Sequence, residues 1–79
     1  MSDGLTLLTR AYCHLCDDMR AALEPMAARA GVAIVEIDVD ADPALEAKFG
    51  ERVPVLLYAG IALCHYTLDA KRVQEALRK

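Results

Sequence analysis

Between two strand-like runs of this chain lies a stretch with apolar residues at helical spacing, and that order leaves few folds open. From His14 to Ala30 the apolar positions Leu15, Met19, Ala22, Leu23, Met26 and Ala30 recur mostly by threes and fours, as on one face of a helix. Gly4 to Thr9, rich in Leu and Thr, reads as a strand before it. Val32 to Val39 (VAIVEIDV), rich in β-branched residues, reads as a buried strand after it. Two strands joined by a helix run parallel, and the crossover is right-handed. Pro25 falls inside the helix, where its ring displaces a backbone hydrogen bond, so a kink or local break is expected there. Gly31 is a natural stop.

The second half changes character. Asp42-Pro43 starts a short helix, with Asp42 as cap and Pro43 in the first turn, ending near Phe49-Gly50. Val53 to Tyr58 (VPVLLY) reads as a third strand and Ile61 to Tyr66 as a fourth. Only Ala59-Gly60 separates them, so they are antiparallel. Asp69 then caps a last helix through Leu77, with Val73 and Leu77 facing inward. The expected architecture is α/β, in the order β-α-β-α-β-β-α: a four-stranded mixed sheet flanked by helices.

Seventy-nine residues leave room for a single domain, 1–79, and the 56% apolar content supports a packed core. Twelve acidic and nine basic residues give a net charge of −3. That balance argues against nucleic acid and against an anionic membrane surface as partners. The start, Met1-Ser2-Asp3-Gly4, lacks the basic residues and long apolar run of a secretory signal, so a cytoplasmic location and a monomer are expected. Three cysteines do not make a disulfide scaffold. A close cysteine pair in a reducing compartment points instead to catalysis or metal binding.

Cys13-His14-Leu15-Cys16 stands where the first strand passes into the first helix. A thiolate there faces unpaired backbone N–H groups and the positive end of the helix dipole. Both favour the charged sulfur and lower a thiol pKa from its free value of ~8.5. Cys13, at the helix mouth, is the expected exposed nucleophile. Cys16, one turn later and more buried, could resolve a mixed disulfide formed at Cys13. His14, if protonated, would favour the thiolate and make the pair more oxidising; otherwise it is a solvent-exposed helix-start residue. Arg10 offers a positive charge near the sulfur or an anionic substrate, or is a plain surface arginine. Asp17 and Asp18 complement the helix dipole but oppose thiolate formation.

Spacing alone leaves zinc, a structural bridge and catalysis open. A zinc site needs further ligands, and the candidates are Cys64 and His65. These are neighbours on a strand and should point to opposite faces, so no metal is assigned. Cys64 alone reads as a small buried apolar residue. Tyr12 and Tyr58 read as packing groups rather than catalysts.

With these residues in place the chain resembles the glutaredoxin branch of the thioredoxin superfamily. The resemblance rests on Arg10-Ala11-Tyr12-Cys13-His14-Leu15-Cys16 after the first strand, on the element order, on Val53-Pro54 and on the Gly60 turn. The Cys13-His14-Leu15-Cys16-Asp17, Asp40-x-Asp42-Pro43 and Val53-Pro54-Val55-Leu56 segments are similar to small bacterial glutaredoxin-like proteins. The resemblance implies thiol–disulfide oxidoreductase activity on a protein or small-molecule disulfide. Cys13 would be the nucleophile, Cys16 the resolving thiol, and Pro54 a cis residue facing them. It also implies a substrate-binding set of Arg10, Tyr12, His14, Val53 and Pro54, with the Val53 backbone pairing to a bound peptide or glutathione. No bound cofactor is implied; glutathione or a reductase is a candidate electron source. Two stretches depart from the family. Its usual Cys-Pro-Tyr-Cys centre is replaced by His14-Leu15 between the cysteines. Its Gly-Gly segment, which holds glutathione, is replaced by the bulkier Cys64-His65-Tyr66-Thr67-Leu68-Asp69. A non-catalytic redox-sensing or partner-binding module is the alternative reading, and metal or Fe–S cluster binding a further one.

Overall fold

The structure, a computed structural model, describes residues 4–78; the N-terminal reading of Met1 to Asp3 lies outside the described residues. The elements follow as β1 (Leu5–Thr9), α1 (His14–Ala30), β2 (Ile34–Asp38), a 3-10 turn (Val39–Ala41), α2 (Pro43–Phe49), β3 (Val55–Tyr58), β4 (Ile61–His65) and α3 (Ala70–Leu77). The four strands form one mixed sheet in the order β2-β1-β3-β4. β1 and β2 are parallel, with Leu5 beside Ile34 and Thr9 beside Asp38. β3 is antiparallel to both β1 and β4. This is the expected architecture, and its strand order places β1 and β3 at the centre.

Alternation along β1 builds two cores. Leu5 and Leu7 point to one face, where Met19, Leu23 and Ala27 of α1, Leu56, Leu63 and Val73 of α3 close around them. Leu8 points to the other face and packs with Val39 and Val55, flanked by Leu45 and Phe49 of α2. The helices therefore cover both faces of the sheet, α1 and α3 on one and α2 on the other.

Local chemistry sets the element ends. Gly31 closes α1 in the left-handed region (φ 70°), and the N–H of Val32 reaches back to the Ala27 carbonyl at 3.0 Å. Asp42 caps α2 by accepting from Ala44 N–H at 3.0 Å, with Pro43 in the first turn. Asp69 caps α3 by accepting from Arg72 N–H at 3.1 Å. Ala59 and Gly60 both have positive φ, 53° and 82°, as the two-residue turn of a β-hairpin requires.

Three expectations are corrected. α1 runs unbroken through Pro25, because Ala21, whose carbonyl loses its partner, and Pro25 itself are exposed and water can satisfy the freed group. The buried stripe of α1 is Cys16, Met19, Leu23 and Ala27; Leu15 and Ala22 each sit one residue, or about 100°, before it and are exposed, as is Ala30. β2 is an edge strand rather than a buried one: only Ile34 and Ile37 are half-buried, and Val39 leaves the strand to enter the second core. The strand ends also shift: β3 begins at Val55, after Val53-Pro54, and β4 ends at His65.

Candidate active site

Strand register gathers the candidate residues at one end of the sheet. Thr9 lies beside Asp38 and Leu8 beside Val55, while Val55 pairs with His65. The chain therefore leaves β1 towards Cys13, leaves β2 towards Asp40, enters β3 from Val53-Pro54 and leaves β4 towards Tyr66, all at this end. In open α/β sheets the crevice beyond the carboxyl ends of the parallel strands is where ligands bind.

Cys13 is itself the N-cap of α1. Its backbone is extended (φ −113°, ψ 107°), and its sulfur accepts the backbone N–H of Cys16 at 3.1 Å, where a capping oxygen usually stands. Cys13 and Cys16 are joined as a disulfide, with Cα atoms 5.2 Å apart. Cys13 is half-buried, whereas Cys16 belongs to the buried stripe at 1% exposure. His14 is exposed.

Tyr12 does not pack. It is fully exposed and holds a left-handed backbone (φ 59°), which a non-glycine residue adopts at a cost of about 1–2 kcal/mol. The reading of Tyr12 as a packing group is therefore overturned: the β1–α1 turn throws its ring outward directly before Cys13. Tyr58, by contrast, packs against the larger core. Leu15 is also exposed, on the other side of Cys13 in the sequence.

Arg10 is held. Its Nε and Nη2 donate to Asp40 at 2.9–3.2 Å, and Nη2 also reaches Glu46 at 3.2 Å. These carboxylates, Asp40 foremost, raise the guanidinium's pKa further above its already high value. Buried Gly50 lies under the cluster: a Cβ there would stand 2.8 Å from Glu46 Oε2 and 3.1 Å from Arg10 Nη2. Sequence reading missed Asp40, Glu46 and Gly50 as partners of Arg10, since they lie 30 to 40 positions away. The one signal was the acidic composition of Asp38 to Glu46. A second cluster ties α1 to β2, Arg20 bridging Asp17 (2.8 Å) and Glu36, where Nε donates at 3.0 Å.

The Val53–Pro54 bond is cis, as the resemblance implies. Pro54 is buried and Val53 half-buried. The Pro54 carbonyl accepts from Tyr66 N–H at 2.9 Å, and the Tyr66 hydroxyl donates to the Glu51 carbonyl at 3.1 Å. Tyr66 thereby braces the segment before β3, itself in a left-handed conformation (φ 66°). Cys64 packs against the larger core while His65 is exposed, so the two do not share a face. Burial pushes the Cys64 thiol up, and the negative charge of Asp69 adds to this; a backbone hydrogen bond at Asp69 and the charge of Arg72 oppose it.

Comparison with known proteins agrees with this geometry. Residues 4–78 match the family described as Glutaredoxin-like domain (DUF836). An uncharacterized protein of Mycobacterium tuberculosis is 34% identical over 73 residues, covering 86% of this chain and 75% of that protein. The solution structure of protein Ne2328 from Nitrosomonas europaea superposes with a TM-score of 0.88 at 30% identity, covering 99% of this chain and 94% of its own. The X-ray structure of target protein XcR50 from X. campestris gives 0.73 at 44% identity, covering 94% and 95%. Thioredoxin 1 from Thermosipho africanus (17% identity, TM-score 0.64) and a buckwheat glutaredoxin (18%, 0.52) share the fold. The chain belongs to the glutaredoxin-like domain (DUF836) family, with a thioredoxin-like fold that carries its cysteine pair at the first turn of α1.

Proposed function

We propose that this protein is a thiol–disulfide oxidoreductase working through Cys13 and Cys16. The observation that carries the reading is the asymmetry of the pair: a half-buried sulfur at the helix mouth, receiving a backbone N–H, bonded to a buried sulfur one turn behind. A thiolate gains more from that N–H and from the helix dipole than a neutral thiol does, so the reduced Cys13 is biased towards its reactive form.

The chemistry balances as two exchanges. The Cys13 thiolate attacks one sulfur of a substrate disulfide, forming a mixed disulfide and releasing one substrate thiolate, which solvent protonates. The Cys16 thiol loses its proton to solvent and attacks the Cys13 sulfur, releasing the second substrate thiol. Two electrons pass to the substrate and Cys13–Cys16 becomes oxidised. Two molecules of an external monothiol such as glutathione, leaving joined as their disulfide, or one dithiol of a reductase, restore the pair, so the cycle needs no bound cofactor. Val53 lies at the same end of the sheet, and in this reading its backbone pairs with an extended substrate segment. A reducing cytoplasm suits this cycle.

The test is reduction of a peptide disulfide with dithiothreitol as electron source, comparing wild type with Cys13→Ser. Turnover by wild type that falls to background in the variant supports the reading. Equal rates in the two proteins sink it and favour a static bridge.

A further inference from the structure

We propose that the disulfide exchanged at Cys13 is carried by a cationic partner, and that the Arg10–Asp40–Glu46 cluster sets this preference by neutralising the arginine that precedes the reacting cysteine by three residues. This rests on the oxidoreductase reading and names its substrate class.

Arg10 is three residues before Cys13, so their Cα atoms lie within about 11 Å of each other along even an extended chain, a separation of about one Debye length at ordinary salt. A free guanidinium there would attract the carboxylates of an anionic thiol. Instead its Nε and Nη2 donate to Asp40, and Nη2 donates to Glu46 as well. One guanidinium and two carboxylates give the trio a formal net charge of −1. The arrangement is built into the packing, because Gly50 lacks the Cβ that would crowd Glu46 and Arg10.

The surroundings have the same sign. Segments 9–18 and 38–54, which meet at this end of the sheet, hold seven Asp or Glu and three Lys or Arg. Arg52, beside Val53, is the closest opposing charge in the facing segment, and Glu51 precedes it. Asp18 stays exposed just past the first turn of α1, while Asp17 is paired with Arg20. Exposed Tyr12 and Leu15 flank Cys13 in the sequence and add apolar surface among these charges. A polypeptide cysteine flanked by Lys or Arg matches this potential. Glutathione, with two carboxylates and one ammonium, does not.

The experiment uses the reduced full-length protein and three 2-pyridyl disulfides that share a neutral chromophoric leaving group. One is carried by a Lys-flanked peptide, one by the same peptide with Glu in place of Lys, and one by glutathione. Each rate is divided by that of dithiothreitol to remove intrinsic reactivity. The expected Lys-to-Glu ratio of the second-order rate constants for release of the chromophore is at least about 10-fold at low salt, with glutathione grouping with the Glu peptide. The ratio should shrink towards one near ~1 M salt, where the Debye length is about 3 Å. It should also fall in the Asp40→Asn, Glu46→Gln double variant, which frees Arg10. The salt series on wild type stands even if that variant folds poorly. A ratio at or below one, with turnover that still requires Cys13, overturns the charge preference alone. No reaction above that of Cys13→Ser overturns the oxidoreductase reading and this inference with it.

Discussion

Cys16 points its backbone N–H at the sulfur of Cys13 from 3.1 Å, one helical turn behind it. One residue of the pair thus caps the helix while the other is locked into the larger core by the same first turn. Of the two, only the capping residue is more than 1% exposed, and under the proposed activity that sets the order of the two exchanges.

That order predicts a trap. Cys16→Ser should accumulate a stable mixed disulfide at Cys13 when mixed with a disulfide peptide, seen as a single adduct in intact mass. Cys13→Ser should give none under the same conditions. An adduct that forms equally on Cys16 in Cys13→Ser would show that the two sulfurs are equivalent.

Cys64 should behave in the opposite way to Cys13. Burial raises its folded-state pKa, while the unfolded chain keeps an ordinary thiol near ~8.5. Below that value both states hold the thiol, and the stability contribution is intact. Above it the unfolded chain ionises first, so stability drains away as pH rises. The difference in urea midpoint between wild type and Cys64→Ala should therefore shrink between pH 8 and pH 10, by the sign of that shift. Alkylation of Cys64 in the oxidised protein should also lag behind that of a free cysteine peptide at pH 8.

How much of this was legible beforehand differs by range. Cys13 and Cys16 were readable because capping, dipole and spacing are local properties of a strand-to-helix junction. Gly31, Asp42, Asp69 and the Ala59-Gly60 turn marked their elements for the same reason. The partners of Arg10 were not readable, since Asp40 and Glu46 lie 30 and 36 positions away and meet it only once β1 and β2 are in register. The run VAIVEIDV announced a strand but not its place at the sheet edge, which depends on β3 taking the other side of β1. Tyr12 misled because aromatic residues usually pack, and only the left-handed turn expels it.

Gly50→Ala should destabilise the protein. The added methyl carbon would lie 2.5 Å from the Glu46 carbonyl oxygen, a backbone atom that cannot swing aside, and would also crowd Arg10. Overpacking of this kind costs about 1–3 kcal/mol. For a domain of this size each kcal/mol lowers Tm by about 4–8 °C. Calorimetry checks it, and an unchanged Tm would mean that α2 shifts freely at its C-terminal end.

Leu56→Ala should be more damaging still. Leu56 is fully buried on central strand β3 and touches the core shared by α1 and α3. Truncating such a leucine costs about 2–5 kcal/mol, against a total of roughly 4–12 kcal/mol for a chain of this length. Urea unfolding should show a midpoint cut by about a sixth or more, with little change in slope.

The position of β1 dictates the timetable on which the molecule can assemble during synthesis. β1 precedes both of its neighbours, and the antiparallel one comes long after the parallel one: Leu5 pairs with Tyr58, 53 positions later. A nascent chain that has released β1, α1 and β2 can form the parallel pair, but one hydrogen-bonding edge of β1 stays bare, and Leu56, Leu63 and Val73 are missing from the core. Closing so long a loop is entropically costly, so the final strands must be delivered before the first can be secured. The thiols of Cys13 and Cys16 therefore emerge from the ribosome well before the fold that differentiates them exists.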